Sequence, residues 1–275
     1  MQIDSTAIVS KGAKLAKGVQ IGPYTIIGNN VVIGSGTRLG AYCVIEGNTS
    51  IGKDCQIFTG AVLGSPPQDL KYKGEKSFLE IGNHNIIREY CTFNPGTGEN
   101  GRTVVGNNNL FMAYAHIAHD CIVGDDCIIA NNGTLAGHVT IEDRAVVGGF
   151  AAIHQFARVG RFSIIGGCSK VIQDIPPYST CDGHPAVCYG LNLIGLRRNS
   201  IPRESINQLK QAFKVLFNSG LSTKHALEKL EKEIIKPVEE VLCLINFIKN
   251  SQRGVVHSCR SKRITLEQSA DDIYR

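Results

Sequence analysis

The 275-residue chain has no tryptophan, two methionines and only 7% aromatic residues. Any core must therefore be built from aliphatic side chains in thin layers. No run of 18 or more apolar residues occurs, so no membrane-spanning helix is expected. No apolar leader follows Met1, so no secretion signal is expected either. Charge is equally scarce: a formal +5 is too mild to point to nucleic acid as a partner. The ten cysteines include no CxxC pair, which argues against a zinc knuckle. Histidines number eight.

What the chain has in quantity is glycine, 30 residues, and a period of six. Stepping by six from Ile3 meets Val9, Leu15, Ile21, Ile27, Ile33, Leu39, Ile45, Ile51, Ile57 and Leu63, none polar. A second run steps from Val105 through Phe111, Ile117, Val123, Ile129, Leu135, Ile141, Val147, Ile153, Val159 and Ile165 to Val171. Four positions after each aliphatic residue stands a small one, such as Ala7, Ala13, Thr25, Thr37, Cys43 and Ala61. A strict short period marks a solenoid, and a period of six cannot be helical, because an apolar helix face repeats every 3.6 residues. Each hexad supplies one short strand and a bend. Gly22, Gly28, Asn29, Asn30, Gly34, Gly106, Asn107 and Asn108 are expected to take the left-handed backbone of the bends. Cys43, Cys55, Cys91, Cys121 and Cys127 fall in the small inward slot, where a thiol acts as a small hydrophobe. They are read as reduced, in a cytoplasmic protein.

The repeat breaks twice, over residues 65–78 and 94–103, and loops ejected from a rigid solenoid tend to be functional. It ends at Ile175, Pro176 and Pro177. Helical spacing then takes over: Ile206, Leu209, Phe213 and Leu216 after Pro202; Ala226, Leu227 and Leu230 after a Ser222 cap; Val241, Leu244, Ile245 and Ile248 after Pro237. The expected organisation is a β-solenoid over 1–188, a mildly basic α-helical domain over 189–254 and a polar, frayed tail over 255–275.

Candidate chemistry sits in the second run of hexads. His119, His138 and His154 occupy the third, fourth and second places of hexads that begin 18 residues apart, at Ile117, Leu135 and Ile153. With three hexads per coil these stack on one face, together with His116, Asp120, Gly137 and Gln155. A histidine near its unperturbed pKa is a good general base, and a neighbouring carboxylate such as Asp120 holds its tautomer. Gly137 has no side chain, so its N–H is open to a developing oxyanion. No serine or cysteine stands as an obvious nucleophile, which favours direct attack by a substrate hydroxyl. Agreement across three coils favours a shared site; the alternative is a set of unrelated surface histidines, with Asp120 a solvated corner residue.

The hexad pattern resembles that of the hexapeptide-repeat proteins, which implies three hexads per coil and a left-handed parallel β-helix, mainly β with a C-terminal α domain. The segments Gln68 to Tyr72, Ala115 to Cys121, Leu135 to His138, His154 to Phe156 and Asp174 to Tyr178, in order along residues 1–254, resemble the UDP-N-acetylglucosamine acyltransferase family that begins lipid A biosynthesis. This resemblance implies transfer of a 3-hydroxyacyl chain from acyl carrier protein to the glucosamine 3-hydroxyl, with neither cofactor nor metal, by a homotrimer with its sites between adjacent prisms. Carried over by motif, His119 is the general base, Asp120 its orienting partner and Gly137 the oxyanion donor. His116, His138, His154 and Gln155 bind the sugar and pyrophosphate; Gln68, Asp69 and Lys71 hold sugar and acyl groups. Asn192 and Arg198 match the nucleotide segment, and Gly167 the floor of the acyl groove. Ile194 stands where relatives often carry an acid, and Asn199 where they often carry a second arginine. The basic helical domain would receive the acidic carrier protein.

Alternatives differ in chemistry. A 3-amino sugar could replace the 3-hydroxyl. The three histidines invite a zinc hydratase of the gamma-carbonic-anhydrase type, although they occupy different slots and that family lacks the Gln68 to Lys71 loop. A non-catalytic scaffold is disfavoured by the histidines and the ejected loop. An N-acyltransferase of the same pathway is disfavoured because hexads begin at Ile3.

Overall fold

The computed structural model describes residues 2–259. Successive hexads form two-residue strands that visit three parallel sheets in turn, A, B and C, so that each coil adds one strand to each sheet. The result is a three-sided left-handed parallel β-helix. Partners in neighbouring coils are 18 residues apart: Ile117 opposes Leu135, and Leu135 opposes Ile153. The aliphatic residue of each strand points inward. Ile27, Ile45, Leu63, Ile117 and Leu135 are fully buried, stacked in columns down the prism axis. Burying each such side chain contributes about 1.5–3 kcal/mol, so the repeat itself supplies the core.

The small slot also faces inward, and several of its polar members meet corner backbone, while Thr103 Oγ1 and Asn109 Nδ2 are buried with no partner among the described residues. Thr25 Oγ1 donates to Gly40 O at 2.8 Å and accepts from Cys43 N at 3.1 Å. The cysteines do likewise: Cys43 Sγ lies 3.2 Å from Phe58 O, Cys55 Sγ 3.2 Å from Gly82 O and Cys121 Sγ 3.1 Å from Ala136 O. Burial pushes the thiols of Cys91, Cys121 and Cys127 up to about 12, which removes the thiolate that reacts.

Both long loops leave the same corner, between sheets B and C. The first runs from Leu63 to the strand Phe78–Ile81, the second from Phe93 to the strand Arg102–Val105. Register survives both excursions, for Ile51 opposes Ile81 and Ile81 opposes Val105. The loops thus stand on consecutive coils directly before the coil that carries His119.

Beyond the hexads, strands Ser179–Gly183 and Ala186–Leu191 form an antiparallel hairpin on sheet A. Four helices follow: α1 (Leu193–Arg198), α2 (Arg203–Asn218), α3 (Thr223–Glu233) and α4 (Glu239–Lys249). Their contacts are apolar, through Leu209, Phe213, Leu230, Val241 and Leu244. The Arg158 guanidinium lies 4.2 Å over the Phe247 ring and ties α4 to the prism.

Several expectations need correction. The strand Ala186–Leu191 crosses the boundary placed at 188, and helix begins only at Leu193. The segment from 255 is not a frayed tail as far as Cys259. Val255 bridges Asp174, Ser258 bridges Cys188, and Val256 is buried. Five residues, Val255 to Cys259, are too few to show a pattern in sequence. Residues 260–275, the rest of that expected tail, lie outside the described residues. Of the residues expected to be left-handed, Asn108 alone is (φ 57°). The corners instead place Tyr24, Tyr42, Asp120, Asp126, His138, Arg144 and Phe156 at φ between 54° and 64°. Gly22 and Gly34 serve close approach: an added Cβ would lie 2.6 Å from Gly40 O and 2.5 Å from Gly52 C.

The buried thiols lead to a labelling prediction. Under native conditions a thiol reagent modifies exposed Cys168 and leaves Cys43, Cys55, Cys91, Cys121 and Cys127 unmodified, as read by mass spectrometry of digested protein; rapid labelling of Cys121 would contradict the packing.

Candidate active site at a prism corner

At the corner between sheets B and C the 18-residue register sorts side chains into columns. His119, Gly137 and Gln155 share one column. Asp120, His138 and Phe156 share the next. The backbone ladder fixes both, with His138 N donating to His119 O at 3.0 Å and Phe156 N to Gly137 O at 3.2 Å. His119 packs on Gly137 so closely that a Cβ there would lie 2.4 Å from His119 Cε1 and 2.5 Å from Nε2. Gly137 is buried, and its amide has no acceptor among the described residues.

Asp120 organises the corner. His119 Nδ1 lies 2.9 Å from its Oδ2, which assigns the proton to Nδ1 and leaves the Nε2 lone pair for chemistry. His138 Nε2 is 3.7 Å from the same oxygen. The His138 ring stands edge-on to His119 at 5.1 Å and is stacked on Phe156 at 4.6 Å. Side-chain exposure falls from 39% at His138 to 16% at His119 and 14% at Asp120, so the His–Asp pair is shielded while His138 faces outward.

His116 points out from sheet B one strand step away, and its Nδ1 meets Thr92 Oγ1 at 2.7 Å. Partial burial pushes its pKa down, because the imidazolium is harder to desolvate than the neutral ring. His154 and Gln155 are exposed; His154 Nδ1 approaches only Gln155 O, at 3.1 Å. The expected stripe of three histidines is therefore a cluster of two with a carboxylate. One donor atom from each of His119, Asp120 and His138 lies within 4.8 Å of the other two, a spacing compatible with a metal ion, and His154 is not among them.

Other candidates lie elsewhere. Gln68, Asp69 and Lys71 sit on the first loop, where Asp69 Oδ1 accepts from Lys71 N at 2.9 Å; among the described residues none of their side chains hydrogen-bonds or ion-pairs with His119 or His138. Gly167 is at the corner between sheets A and B, its ideal Cβ 3.2 Å from Gly149 O. Asn192 caps α1, accepting from Gly195 N and donating to Phe162 O, both at 2.9 Å. Arg198 lines a cleft of about 430 Å³ on the outer face of sheet A, with Ile128, Val146, Ile164, Phe162, Asn192 and Ile194 around it.

Sequence reasoning missed Arg144, which enters this cleft and donates from Nη1 to Asn199 Oδ1 at 3.0 Å. It also missed Thr97, whose backbone and hydroxyl both reach Asp120. The only sequence signals were Arg144's place in the outward corner column and Thr97's place in an ejected loop.

A β-helix of hexads that carries a shielded His–Asp pair at a corner, with the adjacent Cys121 turned inward onto Ala136 O, is the architecture of a hexapeptide-repeat transferase. The bacterial transferase hexapeptide pattern matches residues 30–65 and 102–137, and the pattern described as Udp N-acetylglucosamine O-acyltransferase, domain 2, matches residues 174–256. The chain belongs to the UDP-N-acetylglucosamine O-acyltransferase family. It is 58% identical to the acyl-(acyl-carrier-protein)–UDP-N-acetylglucosamine O-acyltransferase of Trichlorobacter lovleyi, covering 93% of this chain and 99% of that protein. The protein of that name from a Sulfurihydrogenibium species is 54% identical, over 97% and 98%. Among solved structures, the UDP-N-acetylglucosamine O-acyltransferase of Moraxella catarrhalis superposes with a TM-score of 0.89 at 43% identity, covering 94% of this chain and all of that one.

The close packing predicts that Gly137→Ala displaces the His119 ring and lowers turnover by at least about tenfold, while the melting temperature moves little, because Gly137 has ordinary backbone angles. Wild-type turnover would contradict this geometry. The lowered pKa of His116 gives a pH prediction. Below its ordinary 6.5 the unfolded chain binds a proton that the folded chain resists, so stability is full above pH 6.5 and falls as pH drops through the lowered folded value. Denaturant midpoints of wild type and His116→Asn should converge across that window; parallel curves would refute it.

Proposed function

We propose that this protein transfers an acyl chain, a 3-hydroxyacyl chain by resemblance, from acyl carrier protein to the 3-hydroxyl of UDP-N-acetylglucosamine, the first step of lipid A biosynthesis. The observation that carries the reading is the His119–Asp120 pair beside Gly137. Asp120 holds the proton on Nδ1 of His119, and Nε2 removes the proton from the sugar hydroxyl as its oxygen attacks the thioester carbon. The tetrahedral oxyanion takes a hydrogen bond from Gly137 N–H, a donor otherwise without an acceptor. Collapse breaks the carbon–sulfur bond, and the departing thiolate receives the proton from His119. His116, His138, His154 and Gln155 line the approach for the sugar and pyrophosphate, with Gln68, Asp69 and Lys71 on the loop above.

The site is shared between copies. His119 lies at the B–C corner, Gly167 at the A–B corner and Asn192 with Arg198 on the face of sheet A, so one prism does not gather them. Two clefts of about 410 and 430 Å³ lie on the sheet A side, and neither is lined by a histidine. A homotrimer that sets the B–C corner of one prism against sheet A of the next supplies a complete cleft. In it Arg198 and Arg144 serve the nucleotide, the latter replacing the positive charge absent at Asn199. The acyl chain runs past Gly167, where a missing side chain leaves room. Residues 191–250, with ten Lys and Arg against six Asp and Glu, receive the acidic carrier protein. No described helix is long and apolar enough to cross a membrane, in keeping with a cytoplasmic enzyme drawing on cytoplasmic acyl carrier protein.

The test is to incubate purified protein with UDP-N-acetylglucosamine or its 3-amino analogue and a panel of acyl carrier protein thioesters, and to identify products by mass. We expect O-acylation, and a loss of roughly 10²–10⁴-fold in His119→Ala, with that variant still a trimer by light scattering. Near-normal activity in His119→Ala, or stoichiometric zinc in the purified protein, would overturn the mechanism.

A further inference from the structure

The second ejected loop, residues 94–103, has no task in the reaction as drawn, yet it is tightly built and reaches the catalytic corner. A Cβ on Gly101 would lie 1.8 Å from Thr97 O, so the turn closes on itself. Asn100 N donates to Lys76 O at 2.7 Å and Gly96 N to Phe78 O at 3.2 Å, stitching the loop to the coil below. At its tip, Thr97 N donates to both Asp120 oxygens, at 3.1 and 3.0 Å, and Thr97 Oγ1 to Oδ2 at 2.6 Å. Oδ2 is the oxygen that meets His119 Nδ1. Gly96 lets the loop come this near, since a Cβ there would be 2.7 Å from Asp120 Oδ1. The root of the loop holds the first loop as well, through Asn94 Nδ2 to Ser65 O at 3.0 Å and Pro66 O at 3.3 Å.

We propose that Thr97 is a positioning residue for the His119–Asp120 pair: its hydroxyl and amide clamp the Asp120 carboxylate so that Oδ2 stays on His119 Nδ1. The inference rests on the reading of His119 as general base. The physical case is geometric. Asp120 sits alone at a corner with φ 58°, and its side chain would otherwise be free to turn toward His138 Nε2, 3.7 Å away. Two donors on one rigid turn, the Thr97 amide and hydroxyl, settle its orientation through three contacts before substrate arrives. Thr97 contacts no reacting atom, so its removal should act on turnover and leave substrate binding intact.

The experiment compares Thr97→Val, Thr97→Ser and Asp120→Ala, alone and combined, in the full-length enzyme with UDP-N-acetylglucosamine and acyl carrier protein thioester. Thr97→Val keeps the shape and the backbone donor and loses the hydroxyl. Its kcat should fall about 10–100-fold, the range typical of lost outer partners, with both KM values within about twofold and an unchanged melting temperature. Thr97→Ser should restore most of the turnover, and Thr97→Val should cost nothing further in the Asp120→Ala background. If Thr97→Val does not fold, Thr97→Ala carries the same comparison. The proposal is overturned if Thr97→Val turns over normally while His119→Ala is inactive, if its loss appears in KM alone, or if its effect adds fully to that of Asp120→Ala. Activity retained by His119→Ala would instead remove the base assignment on which the clamp depends.

Discussion

Every feature of this molecule depends on one constraint, the hydrogen-bond ladder that joins each coil to the next. It runs through the strands, as in Ala118 N to Leu135 O at 3.1 Å and Ala136 N to Ile153 O at 3.0 Å, and through the corners, as in His138 N to His119 O. A slip of one residue would turn every buried aliphatic side chain to solvent, so the register is held by the whole core. The chain leaves the solenoid only at a corner, where the excursions between Leu63 and Phe78 and between Phe93 and Arg102 cost no strand pairing.

The ladder also separates packing from chemistry. Inward columns hold buried aliphatic, threonine and cysteine side chains, with the thiols of Cys91, Cys121 and Cys127 too poorly ionised to react. Outward columns carry what the core does not need, and the corner columns carry it in left-handed backbone that non-glycine residues seldom adopt. Asp120 and His138 occupy such positions. The rigid coil thereby fixes the distances among His119, Asp120 and Gly137 without help from any helix, and the ejected loop completes the one group whose side chain the coil leaves unrestrained.

The nucleotide, acyl and catalytic candidates lie on a face and two different corners of the prism, and the proposed homotrimer is the means by which they would meet. The helical domain fits the same scheme. Asn192 uses its amide to cap α1 and to grip Phe162 O, which seats the α1 segment and Arg198 at the edge of sheet A.

Much of this was legible along the chain because a solenoid is nearly one-dimensional: neighbours in space are neighbours at a constant step. The period of six therefore named the core columns, the inward cysteines, both ejected loops and the coils that bring His119 close to His138. The same arithmetic placed His154 in their stripe, but a shared face is not a shared site, and its side chain lies away from Asp120. Handedness and three hexads per coil came only through family likeness. Contacts that break the step were decided by tertiary structure. Thr97 reaches Asp120 across 23 residues, Arg144 reaches Asn199 across 55, and Val255 returns to Asp174. None of these is periodic. Each depends on where a loop or helix folds back in three dimensions, and a linear pattern carries no measure of that.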